Sequence, residues 1–305
     1  MNGKNEANLF INRYRQIFEE NFSTEFLVAD APIPQTIRVN TLKISHDALL
    51  SRLKERLSIK KIPYLRDGYS VSASEKFSIS SMPEHLMGYF YIQEAASQLP
   101  VQILNPEKYS VVLDMCASPG SKTTQIAQLM QNTGSIIATD VNLKRIKALE
   151  NNIDRLGVSN VMVYKKDARY IDDLGMTFDY ILLDAPCSGN YAIDDNWFEK
   201  RDMGGVRANV RRQKELVCAA AKVLAPGGIL VYSTCSLEPE ENEEIITWAL
   251  ENLDVSLERI SIKGLKSMSV TRFEGRFMPE MMSCIRLWPH ITNTSGFFIA
   301  KLRKK

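Results

Sequence analysis

No apolar run in the sequence approaches the roughly 20 residues of a membrane-spanning helix, which excludes an integral helical membrane protein. The N-terminus, MNGKNEANLF, lacks the apolar core of a secretion signal, so a cytoplasmic protein is expected. Cysteine is sparse and odd in number, with Cys116, Cys187, Cys218, Cys235 and Cys284 scattered and no CxxC pair. That argues against a disulfide framework and against a zinc site, so no metal is expected. A reducing compartment would leave Cys187 and Cys235 available as thiols. An excess of one charge is also missing. At +2 over 305 residues, net charge alone does not announce a nucleic-acid partner. Hydrophobic content of 45% and charged content of 24% are ordinary for a soluble globular chain of one large or two smaller domains.

Charge is instead concentrated locally. From Arg38 to Arg66 there are eight basic residues against two acidic ones. Arg207, Arg211, Arg212 and Lys214 form a second group, and Lys301, Arg303, Lys304 and Lys305 a third. Such groups either track phosphates or form solvated helix faces. A helix is expected near 5–22, a break at Ala31-Pro32-Ile33-Pro34, a short strand at 37–40, and a basic amphipathic helix over 46–57 with Leu49, Leu50, Leu53 and Leu57 on one side. These compose a small α+β appendage, placed at 1–85, ahead of a catalytic domain at 86–305. That helix has no Trp or Phe to dip into a bilayer, so no membrane partner is expected.

From about residue 108 strands and helices alternate, which implies a mostly parallel sheet covered on both faces. Expected strands are 111–115, 135–139, 161–164, 180–183 and, after a turn at Pro226-Gly227-Gly228, 229–233. Helices are expected at 121–131, 143–156, about 209–224 and 240–252. A polar segment spans 190–206, and the acidic run Glu238–Glu244 suits a positive helix N-terminus. Asp114, Asp140, Asp167, Asp184 and Cys235 all fall just past strand ends, where such sheets place their ligand crevice.

Glycine pairs are absent where two common cofactor turns need them. In Asp114–Lys122 only Gly120 is present, which fails the dinucleotide pattern G-x-G-x-x-G, and Ser121 separates Gly120 from Lys122, which fails the P-loop pattern. A strand-turn-helix with one glycine suits a nucleoside cofactor without a pyrophosphate, met by the helix N-terminus. Asp140 is placed to accept ribose hydroxyls and Asp167 an adenine amino group. The arrangement fits S-adenosylmethionine.

The stretches IRVNTLK, YIQEAASQLP, VLDMCASPGSKTTQIA, DAPCSG, LAPGGILVYSTCSLEPEENE and SGFFIAKL, together spanning about 37–302, closely resemble the Sun-type RNA cytosine-5 methyltransferases. Ser118 stands where that family usually has Ala, and Asn190-Tyr191 follow DAPCSG where it often has small residues. The resemblance implies a class I methyltransferase (Rossmann-like) α/β fold with a seven-stranded, mostly parallel sheet whose last strands form a reversed hairpin. It implies S-adenosylmethionine contacts from Cys116, Ala117, Ser118, Pro119, Gly120, Ser121, Lys122, Asp140, Arg145, Asp167 and Asp184. It also implies RNA as substrate, tRNA favoured over ribosomal RNA because the appendage is compact, and Cys235 as nucleophile with Cys187 aiding product release. Asp184 would read cytosine, and Lys122 would lower the thiol pKa and help position the base. A monomer is expected.

The chemistry wants these groups because carbon 5 of cytosine is a poor nucleophile. A thiolate added at carbon 6 makes it nucleophilic, splitting one hard step into easier ones. Two other readings remain open on residues alone. A DNA cytosine-5 methyltransferase would use the cysteine after a proline, Cys187, as nucleophile. A non-catalytic RNA-binding factor on a methyltransferase scaffold would need neither thiol. Cys218 and Cys284 read as small apolar residues.

Overall fold

In a computed structural model of the chain, residues 2–18, 33–73, 78–194 and 196–305 are described. The N-terminal part comprises α1 (Asn2–Phe18), β1 (Thr36–Val39), α2 (His46–Leu53), β2 (Leu57–Lys61), β3 (Gly68–Ala73), α3 (Pro83–Leu86) and β4 (Phe90–Ile92). The expected end of the first helix near residue 22, and Ala31 and Pro32 of the expected break, lie outside the described residues. The four strands form an antiparallel sheet in the order β2-β3-β1-β4, so β4, beyond residue 85, pairs with β1. The helix expected over 46–57 ends at Leu53. Leu57 and Ile59 instead follow a period of two and pair with Ala73 and Val71. Leu49, Leu50, Leu53 and Leu57 fit one helical stripe as well, and cross-strand pairing decides against it.

The larger part follows as α4 (Ala95–Leu104), β5 (Val111–Asp114), α5 (Ser121–Met130), β6 (Ser135–Asp140), α6 (Leu143–Leu156), β7 (Val161–Lys165), β8 (Phe178–Asp184), α7 (Trp197–Lys200), α8 (Met203–Val223), β9 (Leu224–Thr234), α9 (Glu243–Asn252), β10 (Val255–Glu258), the hairpin β11 (Arg272–Phe273) and β12 (Arg276–Phe277), β13 (Ile285–Leu287), α10 (Pro289–Thr292) and β14 (Phe297–Lys304). Strands β7-β6-β5-β8-β9 are parallel, and β14 runs antiparallel between β9 and β10. This is the Rossmann-like class I methyltransferase sheet. An eighth strand, β13, shares the edge with β10: β13 pairs with Phe297–Ile299 and β10 with Lys301–Lys304 of the same strand. The Pro226-Gly227-Gly228 segment lies within β9, where the register steps from Phe178↔Leu224 to Tyr180↔Ile229. The helix expected to start near 209 starts at Met203, because Asp202 caps it by accepting from the Gly205 N–H at 2.7 Å.

Alternation along the central strands builds two core faces. Leu183 and Leu230 point toward α8 and α9, while Leu182 and Val231 point toward α4 and α5. All four are fully buried, and truncating a leucine of this kind to alanine costs about 2–5 kcal/mol. The small sheet is fixed to this body by Arg38, itself buried. Its guanidinium donates to Gln93 Oε1 (2.5 Å), to the Ser121 carbonyl (2.6 Å) and to Thr124 Oγ1 (2.9 Å) in the first turn of α5.

The acidic run 238–244 does more than face a helix dipole. Glu238 accepts from Tyr14 (2.8 Å) and Arg13 (3.3 Å), and Glu243 faces Arg286 at 3.4 Å with both side chains fully buried. Burial pushes the Glu238 and Glu243 carboxyls up to about 7, against the pull of their arginines. A raised carboxyl binds its proton more tightly folded than unfolded. That stability is complete below about pH 4.3 and is lost as pH rises through 7. Thermal melts at successive pH values are therefore expected to show a falling midpoint between pH 5 and 8. A midpoint that climbs across that window contradicts this assignment.

Candidate active site

The parallel register of β8 and β9 sets Asp184 beside Ser233. Ser233 Oγ donates to Asp184 Oδ1 at 2.8 Å, and the Ala185 N–H donates to the Ser233 carbonyl at 2.8 Å. Both chains then turn off the sheet, and the side chains just past the turns meet: Cys187 and Cys235 lie Sγ to Sγ at 3.3 Å. Lys122, in the first turn of α5, reaches across. Its Nζ donates to Asp184 Oδ2 (2.7 Å) and Ser97 Oγ (2.9 Å) and lies 5.5 Å from the Phe297 ring. Four residues singled out in the sequence, on three elements, are thus joined in one cluster.

The two thiols are not equivalent. A hydrogen bond from Cys187 holds the Cys235 thiol below its ordinary pKa against burial and the Asp184 charge, and Lys122 lowers it further. Cys187 is pushed well up by donating that bond, by burial and by the charges of Cys235 and Glu241. The surroundings thus favour ionisation at Cys235 over Cys187, the order that a nucleophilic Cys235 would require. Cys284 is buried and Cys218 half-buried on α8, apart from this cluster.

A cavity of about 560 Å³ opens at the carboxyl ends of the strands, its wall including Cys116, Ser118, Asp140, Arg145, Asp167 and Asp184 as well as both cysteines. Its size lies within the range of sites for small ligands. Ser118 Oγ is buried in that wall with no hydrogen-bond partner among the described residues. Carboxylates of Asp140 and Asp167 follow consecutive strands and can accept from hydroxyl and amino groups while tolerating a sulfonium. These residues fit S-adenosylmethionine. Ala117, Pro119, Gly120, Ser121 and Lys122 are not in the wall; they shape the turn beneath it. Asp114 is buried behind it, held by Thr123 Oγ1 at 2.7 Å, and burial pushes its carboxyl up to about 7. Arg145 braces the turn by donating to the Ser118 carbonyl at 2.6 Å, with Asp140 at 3.6 Å. Asp167 is held below the usual carboxylate range by its hydrogen bonds from Arg169.

Gly120 serves the fold more than ligand approach. Its φ is +101°, and a Cβ there would come within 2.7 Å of Leu149 Cδ1 on α6. Gly120→Ala is expected to destabilise the protein by about 1–3 kcal/mol through backbone strain and overpacking. Denaturant unfolding checks this, and an unchanged midpoint contradicts it.

A second cavity, of about 500 Å³, lies on the other side of the cluster between Thr36, Glu94, Ser97, Ile193 and Phe297. Asp184, Ala185 and Cys235 line both cavities, and Lys122 lines the second. Sequence reasoning missed Ser97, Ser233, Arg169, Gln213 and Glu241. Ser233 had a signal in its place two residues before Cys235 in YSTCS, Arg169 follows Asp167 by two residues and Glu241 lies in the acidic run after Cys235, whereas Ser97 and Gln213 come from distant helices with no signal. Asn190 and Tyr191, within the expected polar segment, are buried. Asn190 Nδ2 donates to the Cys235 carbonyl at 2.6 Å and the Ser295 carbonyl at 2.8 Å.

The basic clusters divide. Arg38 is internal, and Arg56 pairs with Glu84, but Arg52, Lys54, Lys60, Lys61 and Arg66 are exposed. Arg207 and Arg211 are exposed and Arg212 stands in the wall of the first cavity. In the tail, Lys301 and Arg303 are engaged by Glu258, and Lys304 donates to the Ala221 carbonyl. Among the described residues no helix is long and apolar enough to cross a membrane, and no group of three or more His, Cys, Asp or Glu could hold a metal ion.

The model of the family described as 16S rRNA methyltransferase RsmB/F matches residues 101–303, and that of the N-terminal domain of 16S rRNA methyltransferase RsmF matches residues 7–95. The chain is 39% identical over 277 residues to the tRNA (cytosine(49)-C(5))-methyltransferase of Pyrococcus abyssi, covering 90% of this chain and 89% of that protein. It is 36% identical over 305 residues to the ribosomal RNA small subunit methyltransferase F of Vibrio campbellii, covering 97% of this chain but 62% of that longer protein. The crystal structure of a methyltransferase homolog protein from Pyrococcus horikoshii superposes with a TM-score of 0.87 at 43% identity, covering 97% of this chain and 95% of that one. The chain belongs to the RsmB/F, or Sun-type, family of S-adenosylmethionine-dependent RNA cytosine-5 methyltransferases.

Proposed function

We propose that this protein methylates carbon 5 of a cytosine in tRNA, with Cys235 as nucleophile. The observation that carries the reading is the pair of unequal thiols, 3.3 Å apart, where a cofactor-sized cavity and a second cavity meet. When bound, S-adenosylmethionine supplies an electrophilic methyl group on sulfur. Asp140 and Asp167 would hold its hydroxyl and amino groups, and the braced turn at Cys116–Ser118 would hold the rest. The Cys235 thiolate adds to carbon 6 of a cytosine flipped into the second cavity. That addition places an electron pair on carbon 5, which would make this carbon the acceptor of the methyl group that bound S-adenosylmethionine would supply. A base then takes the proton from carbon 5, the carbon 5–carbon 6 double bond re-forms, and the Cys235 sulfur leaves with its electron pair. Cys187 stands at hydrogen-bond distance from that sulfur and handles the proton at release. Asp184, pinned by Lys122 and Ser233, accepts from the cytosine amino group.

The appendage at 1–85 is read as the RNA-binding part and 86–305 as the catalytic domain of a cytoplasmic monomer. Exposed Arg52, Lys54, Lys60, Lys61 and Arg66 would meet phosphates. The near-full-length match to a tRNA enzyme supports tRNA. The family description and the longer ribosomal RNA relatives favour a second reading, the same chemistry on ribosomal RNA. Full-length protein with labelled S-adenosylmethionine and unmodified tRNA or 16S rRNA transcripts separates them. Label in 5-methylcytosine of tRNA is expected. Label confined to rRNA moves the assignment to the second reading, and label in neither overturns the proposal.

A further inference from the structure

Cys187 is flanked by two backbone groups held from one direction. The Ser188 N–H donates to Glu241 Oε1 (3.0 Å) and Oε2 (3.3 Å), and Ser188 Oγ donates to Oε2 at 2.5 Å. On the other side of the thiol, the Pro186 carbonyl accepts from Gln213 Nε2 at 3.0 Å, and the same amide nitrogen lies 3.3 Å from Glu241 Oε1. Tyr232 OH anchors the Glu241 carbonyl at 2.6 Å. The Glu241 carboxylate is fully buried, and among the described residues the groups that hydrogen-bond it are Ser188, Ser236, Asn209 and Gln213, all neutral. Burial pushes this carboxyl up, and the hydrogen bonds from Ser188, Ser236 and Asn209 pull it back toward the carboxylate form, whose charge would be felt strongly by its neighbours at low dielectric.

We propose that Glu241 is a positioning residue that keeps the two thiols unequal: with Gln213 it fixes the turn at Pro186–Ser188 so that Cys187 points its S–H at Cys235 and stays the protonated partner. This rests on the two-thiol reading above and adds what enforces it. The charged and titratable groups around the pair are Tyr232 from β9, Asp184 from β8, Lys122 from α5, Arg212 from α8, and Glu241 from the turn before α9. Lys122 lowers Cys235, whereas the Glu241 charge raises both sulfurs, so what Glu241 adds to their inequality is the fixed turn that holds Cys187 against Cys235.

Iodoacetamide alkylation of each cysteine in the full-length protein, followed by peptide mass spectrometry from pH 6 to 10, tests this without RNA. In the wild type Cys235 is expected to react ahead of Cys187. In Glu241→Gln, which keeps shape and loses charge, the Cys235-to-Cys187 rate ratio is expected to narrow by about tenfold. The same variant is expected to accumulate a covalent adduct with unmodified tRNA transcript that the wild type resolves. Gln213→Ala, which frees the Pro186 carbonyl but keeps the charge, is expected to narrow the ratio less. An unchanged ratio in Glu241→Gln, or in Gln213→Ala should Glu241→Gln not fold, overturns the proposal. A wild type in which Cys187 reacts first overturns the two-thiol reading itself.

Discussion

Cys235→Ala is expected to lose methyl transfer by about 1000-fold or more, while Cys187→Ala is expected to be slowed mainly after the methyl group has moved. The first loss is of the size seen when a member of a catalytic unit is removed, because without a sulfur at that place carbon 5 is not activated. The second variant keeps the proposed nucleophile; it loses the Cys187 hydrogen bond that lowers the Cys235 thiol most, which costs some rate in the first step, but Lys122 still lowers it. What it lacks is the S–H at 3.3 Å that handles the proton as the Cys235 sulfur leaves. Protein–RNA adduct on a denaturing gel is therefore expected from Cys187→Ala and not from Cys235→Ala. The reverse pattern would make Cys187 the nucleophile, as in the DNA-enzyme arrangement.

Lys122→Met is expected to lower kcat by about 100-fold at pH 7 and to move the rising limb of the pH–rate profile upward by about one unit. Lys122 is the cation that lowers Cys235; Asp184 and Glu241 both raise it and would remain. The sulfur would then ionise only at higher pH, so activity recovers as pH rises. Asp184 would also lose the 2.7 Å contact that fixes its carboxylate, which adds a loss that pH does not restore. Lys122→Arg keeps the charge but not the compact geometry between Ser97 and Asp184, and partial activity with an unmoved profile is expected. A Lys122→Met enzyme with an unshifted profile would remove Lys122 from the account of the thiol.

Much of this site was legible because its parts are short, contiguous and placed at strand ends. Asp140, Asp184 and the two cysteines need only the strand boundaries, and β8 and β9 fall where the apolar runs put them. Glu241 was not legible in the same way. It sits in an acidic run that reads as suiting a positive helix N-terminus, and only tertiary packing turns it onto Ser188. Ser97 and Gln213 reach the site from helices whose sequence shows an ordinary amphipathic pattern. The segment 190–206 reads as polar loop, yet Trp197 is buried because its Nε1 finds the Ser188 carbonyl at 2.9 Å, and the rest opens α8 early. The basic tail reads equally as a phosphate track or a solvated face, but β14 aligns Lys301 and Arg303 against Glu258 of β10, so their charge is used within the sheet. In each case local composition was ambiguous and a long-range partner decided.

The central claim, a covalent bond from Cys235 to the target base, is tested most directly by isolating the adduct. RNA transcribed with 5-fluorocytosine, which carries no removable proton at carbon 5, would be incubated with wild-type protein and S-adenosylmethionine. The adduct would then be digested and the modified cysteine read by mass spectrometry. The expected result is a nucleotide attached to Cys235 with Cys187 unmodified. A nucleotide on Cys187 contradicts the account.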